Sequence, residues 1–316
     1  MKVLVIGGNG FIGSHIVDKL LAHGHSVRVF DRQPERFRAP LQDVHYCFGD
    51  FGDKMALVEA LTGVDAVFHL LSTTLPGTAD LDPRSDVQDN LIGTINLLEA
   101  MRGVGLRRIL FVSSGGTVYG IPETVPIPET HPLRPIGSYG IVKASIEHYL
   151  EMYRRTRGFS PIIVRASNPF GPRQAHSGVQ GVISTFLRRI LAGEPIEIWG
   201  DGNVVRDYFE VSDLAELCVR AGTSSREGAY NAGSGYGLSV NEIIGAIRAA
   251  TDSRFEIVYK PGRLVDVPRS VLDCSRAKSD FGWECKIGFD VGLRDTWNWL
   301  NTQARPASDA TPANPP

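Results

Sequence analysis

The chain has 316 residues, of which 42% are hydrophobic and 22% are charged, with 34 Gly and 19 Pro. These proportions are those of globular proteins and exclude coiled-coil, collagen-like and wholly disordered chains. The 33 Lys and Arg residues nearly balance the 35 Asp and Glu residues, so the formal charge is −2. Because no overall positive field exists to hold nucleic acid or an anionic membrane, neither is expected as a partner. A small molecule is expected instead.

Cysteine and histidine spacings predict no metal site. The four cysteines are scattered without a C-x-x-C pair, and the histidines show no H-E-x-x-H pattern, so neither a disulfide framework nor a zinc site is expected. The first residues lack the pattern of a signal peptide, and no apolar run reaches the roughly 18 residues of a membrane span. We therefore expect a cytoplasmic protein.

Taken in chain order, short apolar runs alternate with amphipathic stretches through the first half of the sequence. Strands are predicted over 2–6, 26–31, 44–49, 65–70, 108–113 and 160–165, and helices over 11–22, 54–61, 86–101 and 139–156. Continuous apolar runs are typical of strands that are buried on both faces. The pattern therefore predicts an α/β fold, a doubly wound parallel sheet of the Rossmann type.

After residue 168 the alternation gives way to turn-rich sequence around a predicted helix over 182–192. We predict a smaller C-terminal lobe that lies over the carboxyl edge of the sheet and binds the substrate. The predicted organisation is a Rossmann domain at 1–167, to which some later segments return, a substrate lobe at 168–302 and a disordered tail at 303–316.

A glycine-rich turn stands between the first predicted strand and the first predicted helix: Gly7-Gly8-Asn9-Gly10-Phe11-Ile12-Gly13. The pattern G-x-G-x-x-G arises often by chance, but at this place its glycines let backbone N–H groups and the helix dipole approach a pyrophosphate. The second strand ends at Asp31, whose carboxylate can bind a ribose and would repel the extra phosphate of NADP. NAD is therefore the predicted cofactor, although Arg32 could accept that phosphate if Asp31 turned away.

Tyr139 and Lys143 lie four residues apart, which places them on one face of a predicted helix. A free tyrosine titrates near 10, and its pKa must fall by about three units before it acts as a base near neutral pH. A neighbouring ammonium and a nicotinamide cation can supply that shift. The pair is a catalytic candidate because the cofactor motif accompanies it.

In order along the chain, these motifs resemble the extended short-chain dehydrogenase/reductases, and most of all the NAD-dependent nucleotide-sugar 4-epimerases. The resemblance runs from residue 1 to about 300. It is carried by the glycine-rich turn, Asp31, Asp50, Asn90, Ser113-Ser114-Gly115-Gly116-Thr117-Val118-Tyr119-Gly120, Tyr139-Gly140-Ile141-Val142-Lys143, Asn168-Pro169-Phe170-Gly171 and Arg206-Asp207-Tyr208. It implies a UDP-sugar substrate and a homodimer that packs the helices near 86–101 and 140–156.

The resemblance also implies a role for each matching residue. Asp50 and Phe51 would contact the adenine, Leu70, Asn90 and Ser113 would line the cofactor channel, and Lys143 would hold the nicotinamide ribose. The family's usual Ser or Thr partner of the catalytic tyrosine falls on Gly115, so Thr117 or Ser114 must supply that hydroxyl. The positions that match the nucleotide diphosphate site are Asn168, Gly181, Val182, Trp199, Arg206, Arg263 and Asp266.

The implied reaction begins when Tyr139 removes the proton of the sugar 4-hydroxyl while the C4 hydride passes to NAD. The resulting 4-keto sugar turns over and takes the hydride back on its other face. Four residues after Asp266, where a Tyr excludes N-acetyl groups in the resembled epimerases, this chain has Ser270. We therefore expect UDP-N-acetylglucosamine and UDP-N-acetylgalactosamine as substrates, with UDP-glucose and UDP-galactose as further candidates.

Other functions on the same fold stay open. A 4,6-dehydratase would carry an Asp-Glu pair where this chain has Gly116-Thr117, so its acid and base are missing. A reductase that releases its cofactor, a UDP-glucuronate epimerase and a non-catalytic NAD-sensing regulator are the remaining alternatives. The presence of Tyr139 and Lys143 weighs against the regulator.

Overall fold

A computed structural model describes residues 1–75, 77–174, 181–262 and 267–304. In chain order its strands are β1 (Lys2–Ile6), β2 (Ser26–Asp31), β3 (Val44–Phe48), β4 (Ala66–His69), β5 (Arg108–Ser114), β6 (Ser160–Ala166), β7 (Asn168–Phe170), β8 (Ile196–Trp199), β9 (Val205–Arg206), β10 (Tyr208–Glu210), β11 (Gly228–Ala232), β12 (Leu238–Ser239), β13 (Ile257–Lys260) and β14 (Arg269–Ser270). Its α-helices are α1 (Phe11–Ala22), α2 (Lys54–Leu61), α3 (Pro83–Asp86), α4 (Gly93–Gly103), α5 (Ser138–Arg157), α6 (Val182–Ala192), α7 (Val211–Gly222), α8 (Val240–Thr251), α9 (Ser275–Phe281) and α10 (Phe289–Ala304).

A seven-stranded parallel sheet forms the centre of the molecule, in the order β11-β6-β5-β4-β1-β2-β3. This arrangement confirms the predicted doubly wound α/β fold. Alternate residues of β1 face opposite sides of the sheet: Val3 and Val5 join the core beneath α1 and α7, while Leu4 and Ile6 join the core beneath α2, α4 and α5. The strand order reverses between β1 and β4, and in such sheets the ligand crevice opens at that point, outside the carboxyl ends of the strands.

Helices α1, α2 and α6 begin and end where the sequence predicts, but the helix predicted over 86–101 differs. It begins three residues earlier, at Pro83, because Pro suits the first helical position and the Asp82 carboxylate accepts a hydrogen bond from Ser85 N. It then continues as a π-helix over Val87–Ile92 before α4 begins. Such π-turns are rare in helices and often lie at functional sites.

The second half of the chain is divided between the sheet and a lobe. β11 pairs with β6 at the edge of the sheet, and α7 packs under it, so these segments of the predicted 168–302 lobe return to the first domain. Helices α6, α8 and α10 enclose a separate apolar core with β8.

The predicted tail at 303–316 begins too early, because α10 continues to Ala304; its buried Leu293 and Leu300 hold it on the lobe. Residues 305–316 lie outside the described residues. In the part of the chain that the structure describes, no helix combines the length and the apolar character needed to cross a membrane.

Candidate active site

The glycine-rich turn is closed tightly against the start of α1. Gly7 has a φ of +80°, which favours glycine, and its N–H donates to the Phe30 carbonyl at 2.9 Å. A Cβ on Gly13 would stand 2.1 Å from the Gly7 carbonyl oxygen, so only glycine allows this approach. The first turn of α1 carries no acidic side chain, and its N-cap residue, Gly10, has no side chain to hydrogen-bond the first N–H groups. Its free backbone N–H groups therefore suit a pyrophosphate, with Phe11 and Ile12 beside them.

Asp31 lies at the end of β2 beside this turn. Its Oδ2 accepts a hydrogen bond from the Asn9 N–H at 3.1 Å, which fixes the carboxylate at the edge of the candidate cofactor site. Arg32 is exposed next to it. Asp50 is exposed and accepts a hydrogen bond from Gly52 N, whereas Phe51 is buried and stacks on His69 with ring centroids 5.4 Å apart.

Asn90 ties the π-helix to the loop that follows β4. It is buried, its Oδ1 accepts from Thr73 N at 2.9 Å, and its Nδ2 donates to the Thr73 and Thr74 hydroxyls at 3.1 Å each. Leu70 lies at the start of the same loop, where its N–H donates to Ile6 O. Leu70 and Asn90 therefore both stand at the carboxyl ends of β1 and β4, where the predicted cofactor channel must pass.

Tyr139 and Lys143 occupy the first turns of α5, on the face toward β5. The Lys143 Nζ donates to the Val112 carbonyl at 3.0 Å and lies 5.6 Å from the centre of the Tyr139 ring. Burial raises the pKa of Tyr139 to about 12, with a further contribution from Asp86, and burial lowers the pKa of Lys143 to about 8. A tyrosine in this environment becomes a base near neutral pH only when a positive charge stands beside its oxygen.

Thr117 remains a candidate for the second hydroxyl of the site. Its Oγ1 is buried and has no hydrogen-bond partner within the described residues, and a Cβ on Gly140 would lie 2.9 Å from Thr117 O, so the Thr117 turn abuts the start of α5. At Gly115 a Cβ would stand 2.5 Å from Leu272 Cδ1. A Ser or Thr at position 115 would therefore displace Leu272. Ser114 lies in the same turn, where its carbonyl accepts from Thr117 N at 3.2 Å.

The Ser113 hydroxyl is directed into the core. It donates to Glu147 at 2.5 Å, and Glu147 pairs with Arg165 at 2.7 Å, with both charged side chains buried. Sequence reasoning missed Glu147, although its spacing was a signal: it follows Lys143 by four residues and Tyr139 by eight, which places all three on one helical face.

Asp86 is a second functional candidate that the sequence analysis missed. Its side chain is fully buried at the end of α3, and it accepts hydrogen bonds from the Thr74 hydroxyl at 2.7 Å, Asn90 Nδ2 at 2.9 Å and the Ser138 hydroxyl at 2.8 Å. Ser138 immediately precedes Tyr139. The only sequence signal was the spacing of Asp86 and Asn90, four residues apart on one helix.

A cleft of about 290 Å³ joins the glycine-rich turn to the lobe. Among its lining residues are Phe11 and Ile12 of the turn and, from the lobe, Asn168, Gly181, Val182 and Arg206. The Arg206 guanidinium donates to Val267 O at 2.5 Å, and Asn168 Nδ2 donates to Asp207 O at 3.1 Å. Residues predicted to bind the cofactor and residues predicted to bind the substrate thus line one cavity.

The remaining predicted substrate residues are dispersed. Ser270 is buried in β14 directly opposite Arg206 of β9, whereas Trp199 ends β8 and is 55% exposed. Arg263 and Asp266 lie outside the described residues. Across the described ranges no group of three or more His, Cys, Asp or Glu side chains is arranged to hold a metal ion.

Comparisons with known proteins agree with this geometry. The model of the NAD dependent epimerase/dehydratase family matches residues 3–233. A UDP-glucose 4-epimerase of Thermotoga maritima, solved with UDP-glucose, is 36% identical with a TM-score of 0.91, over 96% of this chain and 100% of that one. A UDP-glucose 4-epimerase of Thermus thermophilus, solved with NAD, is 38% identical with a TM-score of 0.89, over 95% and 99%. A UDP-N-acetylglucosamine 4-epimerase of Methanobrevibacter ruminantium, in complex with UDP-N-acetylmuramic acid, is 28% identical with a TM-score of 0.88, over 96% and 98%.

Proposed function

Because this chain belongs to the NAD dependent epimerase/dehydratase family, we propose that it inverts the configuration at C4 of UDP-hexoses. The comparisons confirm three predictions made from the sequence: the family, NAD as the cofactor and the isomerase class. The observation that carries the proposal is the pairing of Tyr139 and Lys143 at the start of α5, where Lys143 Nζ lies 5.6 Å from the centre of the Tyr139 ring and is held by Val112 O of β5.

The residues present fit NAD. Because Gly13 has no Cβ, the glycine-rich turn and the start of α1 approach each other closely. The backbone N–H groups there would hold the pyrophosphate. Asp31 would bind the adenosine ribose, and Asn90 and Lys143 would line the nicotinamide end. When bound, NAD takes up the C4 hydride of the sugar and later returns it.

The protein's own part of the chemistry is proton transfer. Tyr139 takes the proton of the 4-hydroxyl and returns it to the oxygen after the sugar has presented its other face. The Lys143 ammonium, held by Val112 O, stabilises the tyrosinate. Thr117 Oγ1 is buried without a partner, so it is available to hydrogen-bond the reacting sugar oxygen and hold it near Tyr139.

The lobe side of the cleft suits a nucleotide diphosphate. The guanidinium of Arg206 can meet phosphate oxygens in a bidentate way, and Asn168 and the backbone at Gly181 stand in the same cleft. Trp199, Arg263 and Asp266 stay predictions as further contacts to the nucleotide.

We further propose that N-acetylated UDP-hexoses are accepted. Ser270 is buried beside the strand that carries Arg206, and a hydroxymethyl group at this position occupies far less space than an aromatic ring. The Methanobrevibacter neighbour supports this extension, since it shares the fold and was solved with an N-acetylated UDP-sugar. A larger pocket discriminates weakly, by about 1–3 kcal/mol, so UDP-glucose and UDP-galactose are expected as substrates too.

The test is to incubate the purified protein with UDP-glucose, UDP-N-acetylglucosamine and UDP-glucuronate separately and to resolve the products. Interconversion of C4 epimers without net consumption of NAD is expected. A 4-keto-6-deoxy product would indicate a dehydratase, and stoichiometric loss of reduced cofactor would indicate a reductase. Turnover of UDP-glucuronate alone would indicate a UDP-glucuronate epimerase. Absence of turnover on all three sugars would indicate a regulator.

A homodimer through the outer face of α5 is also proposed. Ile141 and Met152 on α5 and Val87 on the neighbouring π-helix are large apolar side chains that are 49%, 40% and 40% exposed, and apolar side chains that form a surface patch mark protein–protein contacts. Light scattering after size exclusion is expected to give twice the mass of one chain. The Met152→Glu variant is expected to give the mass of a single chain. Cytoplasmic location stays a prediction.

A further inference from the structure

Two buried carboxylates stand near the catalytic pair, and their surroundings differ. Glu147 is neutralised by the Arg165 guanidinium at 2.7 Å. Asp86 is equally buried but forms no ion pair within the described residues; its oxygens accept only from the neutral Thr74, Asn90 and Ser138 groups. Burying a carboxylate without a cationic partner costs free energy, so we expect a function that requires a carboxylate at Asp86.

We propose that Asp86 is a positioning residue that anchors the start of the catalytic helix and opposes the positive charges beside Tyr139, so that the tyrosinate remains a strong base. This proposal rests on the proposed function, in which Tyr139 exchanges the proton of the sugar hydroxyl.

The anchoring is visible in the contacts of one carboxylate. Its Oδ2 accepts from the hydroxyl of Ser138, the first residue of α5, while its Oδ1 accepts from Thr74 after β4 and from Asn90 in the π-helix. Asn90 in turn holds Thr73 N at 2.9 Å. One side chain therefore joins the start of the catalytic helix to the loop at the predicted cofactor channel.

The need for an opposing charge follows from the direction of proton transfer. The tyrosinate must be stable enough to form near neutral pH, yet basic enough to remove the proton of an alcohol. The Lys143 ammonium and a nicotinamide cation both favour the tyrosinate and so weaken it as a base. A nearby negative charge acts in the opposite sense, and Asp86 raises the pKa of both Tyr139 and Lys143.

The other charged groups around the pair do not replace Asp86. Glu147, on the same helix face as Lys143, also raises the pKa of Lys143, but it is engaged by Arg165 of β6 and does not act on Tyr139 as Asp86 does. From β4, His69 is held neutral because burial lowers its pKa to about 3. Asp80 accepts from the Ser138 N–H at 2.7 Å but is exposed to solvent, where its field is screened.

The decisive variant is Asp86→Asn, which removes the charge while keeping size and hydrogen-bonding capacity. Tyrosinate formation is followed by absorbance near 295 nm in the NAD-loaded protein without substrate. Each spectrum is referred to the same protein carrying Tyr139→Phe, since the chain has nine tyrosines. We expect the Tyr139 midpoint to fall by about one pH unit, the lower end of the shift that a neighbouring charge produces. The acidic limb of kcat/KM should move to lower pH with it.

Ser138→Ala is the matched control, because it removes one hydrogen bond to Asp86 and leaves the charge in place. It is expected to reduce kcat without moving the spectroscopic midpoint. Asp86→Glu keeps the charge and should keep the midpoint near that of the unaltered protein. A lower kcat with an unchanged midpoint in Asp86→Asn would reduce Asp86 to a structural role and overturn the proposal.

Asp86→Ser removes the same charge with a smaller side chain, and it decides the question if Asp86→Asn does not fold. If the Tyr139 midpoint is unchanged in the variant that folds, whether Asp86→Asn or Asp86→Ser, the proposal is contradicted. Retained activity in Tyr139→Phe would instead overturn the proposed function, and the two failures are distinguishable because the spectroscopic titration requires no turnover.

Discussion

The two halves of the candidate site are built differently. The predicted cofactor half lies at the ends of β1, β2, β4 and β5 in the central sheet, where β1 and β2 are paired over five residues. The substrate half lies on β7, β9 and β14, which are three, two and two residues long. A side chain in the first half is positioned by a whole sheet, whereas a side chain in the second half depends on a few local contacts.

Asp207 is the centre of those local contacts. It is fully buried, and its carboxylate accepts from Ser234 N at 2.8 Å, the Ser234 hydroxyl at 2.6 Å and Leu272 N at 3.2 Å. Its backbone N–H donates to Ser270 O. We therefore expect the reaction to depend on the half that the sheet holds, and the range of sugars to depend on the half that a few residues hold. Variants in the first half should therefore affect all sugars alike, and variants in the second should affect sugars unequally.

The largest effect is expected for Tyr139→Phe, at the start of α5. Loss of the general base should lower kcat by about two to four orders of magnitude, equally for every UDP-sugar that the protein accepts. The fold and NAD binding should be retained, as measured by circular dichroism and by cofactor content. Tyr259→Phe, on an exposed strand of the lobe, is the matched control. Near-normal turnover in Tyr139→Phe would exclude Tyr139 as the base.

Ser270→Tyr tests the substrate half and should reduce activity on N-acetylated sugars about 10- to 100-fold more than on unacetylated ones. The reason is that the ring would occupy the space of an acetamido group. The measurement is kcat/KM for both sugar pairs. Ser270→Ala controls for loss of the hydroxyl, and thermal unfolding controls for the strain of a large side chain at a buried position. An equal loss on both pairs would remove Ser270 from the sugar pocket.

A smaller effect is expected in cofactor choice. NAD should bind at least about tenfold more tightly than NADP, because the Asp31 carboxylate repels a 2′-phosphate. Titration of the cofactor-free protein with each dinucleotide measures the ratio. Asp31→Ser should narrow the ratio of the two dissociation constants, while Arg32→Ser, at the exposed neighbouring position, should leave that ratio unchanged. Equal dissociation constants in the unaltered protein would point to Arg32 as the phosphate ligand.

The smallest effect is expected for Thr117→Val, which removes one hydroxyl and nearly preserves volume. Loss of a single hydrogen bond of about 1 kcal/mol corresponds to a roughly fivefold fall in kcat. Thr117→Ser should restore most of the rate, and Ser114→Ala should have less effect than Thr117→Val. If Ser114→Ala cost more than Thr117→Val, Ser114 would supply the second hydroxyl.

Particular elements show which parts of the fold the sequence predicts correctly. Phe11–Ala22 and Ser26–Asp31 were predicted to the residue, since the apolar spacing there is regular and turns bound both elements. The π-helix over Val87–Ile92 was missed, because over so short a segment the apolar spacing does not distinguish a π-helix from an α-helix. β11 was not predicted as a strand, since Gly228–Ala232 is short and contains an Asn that is buried only through tertiary hydrogen bonds.

The sequence by itself determined the doubly wound sheet, NAD as the cofactor and the Tyr139–Lys143 pair, because each depends on residues close together in the chain. The tertiary structure decided that position 115 has no room for a side-chain hydroxyl, since Leu272 occupies the space beside Gly115. It also decided that Asp86 meets Ser138, 52 residues away. Contacts at such separation depend on how helices and loops pack, and local sequence patterns do not record that packing.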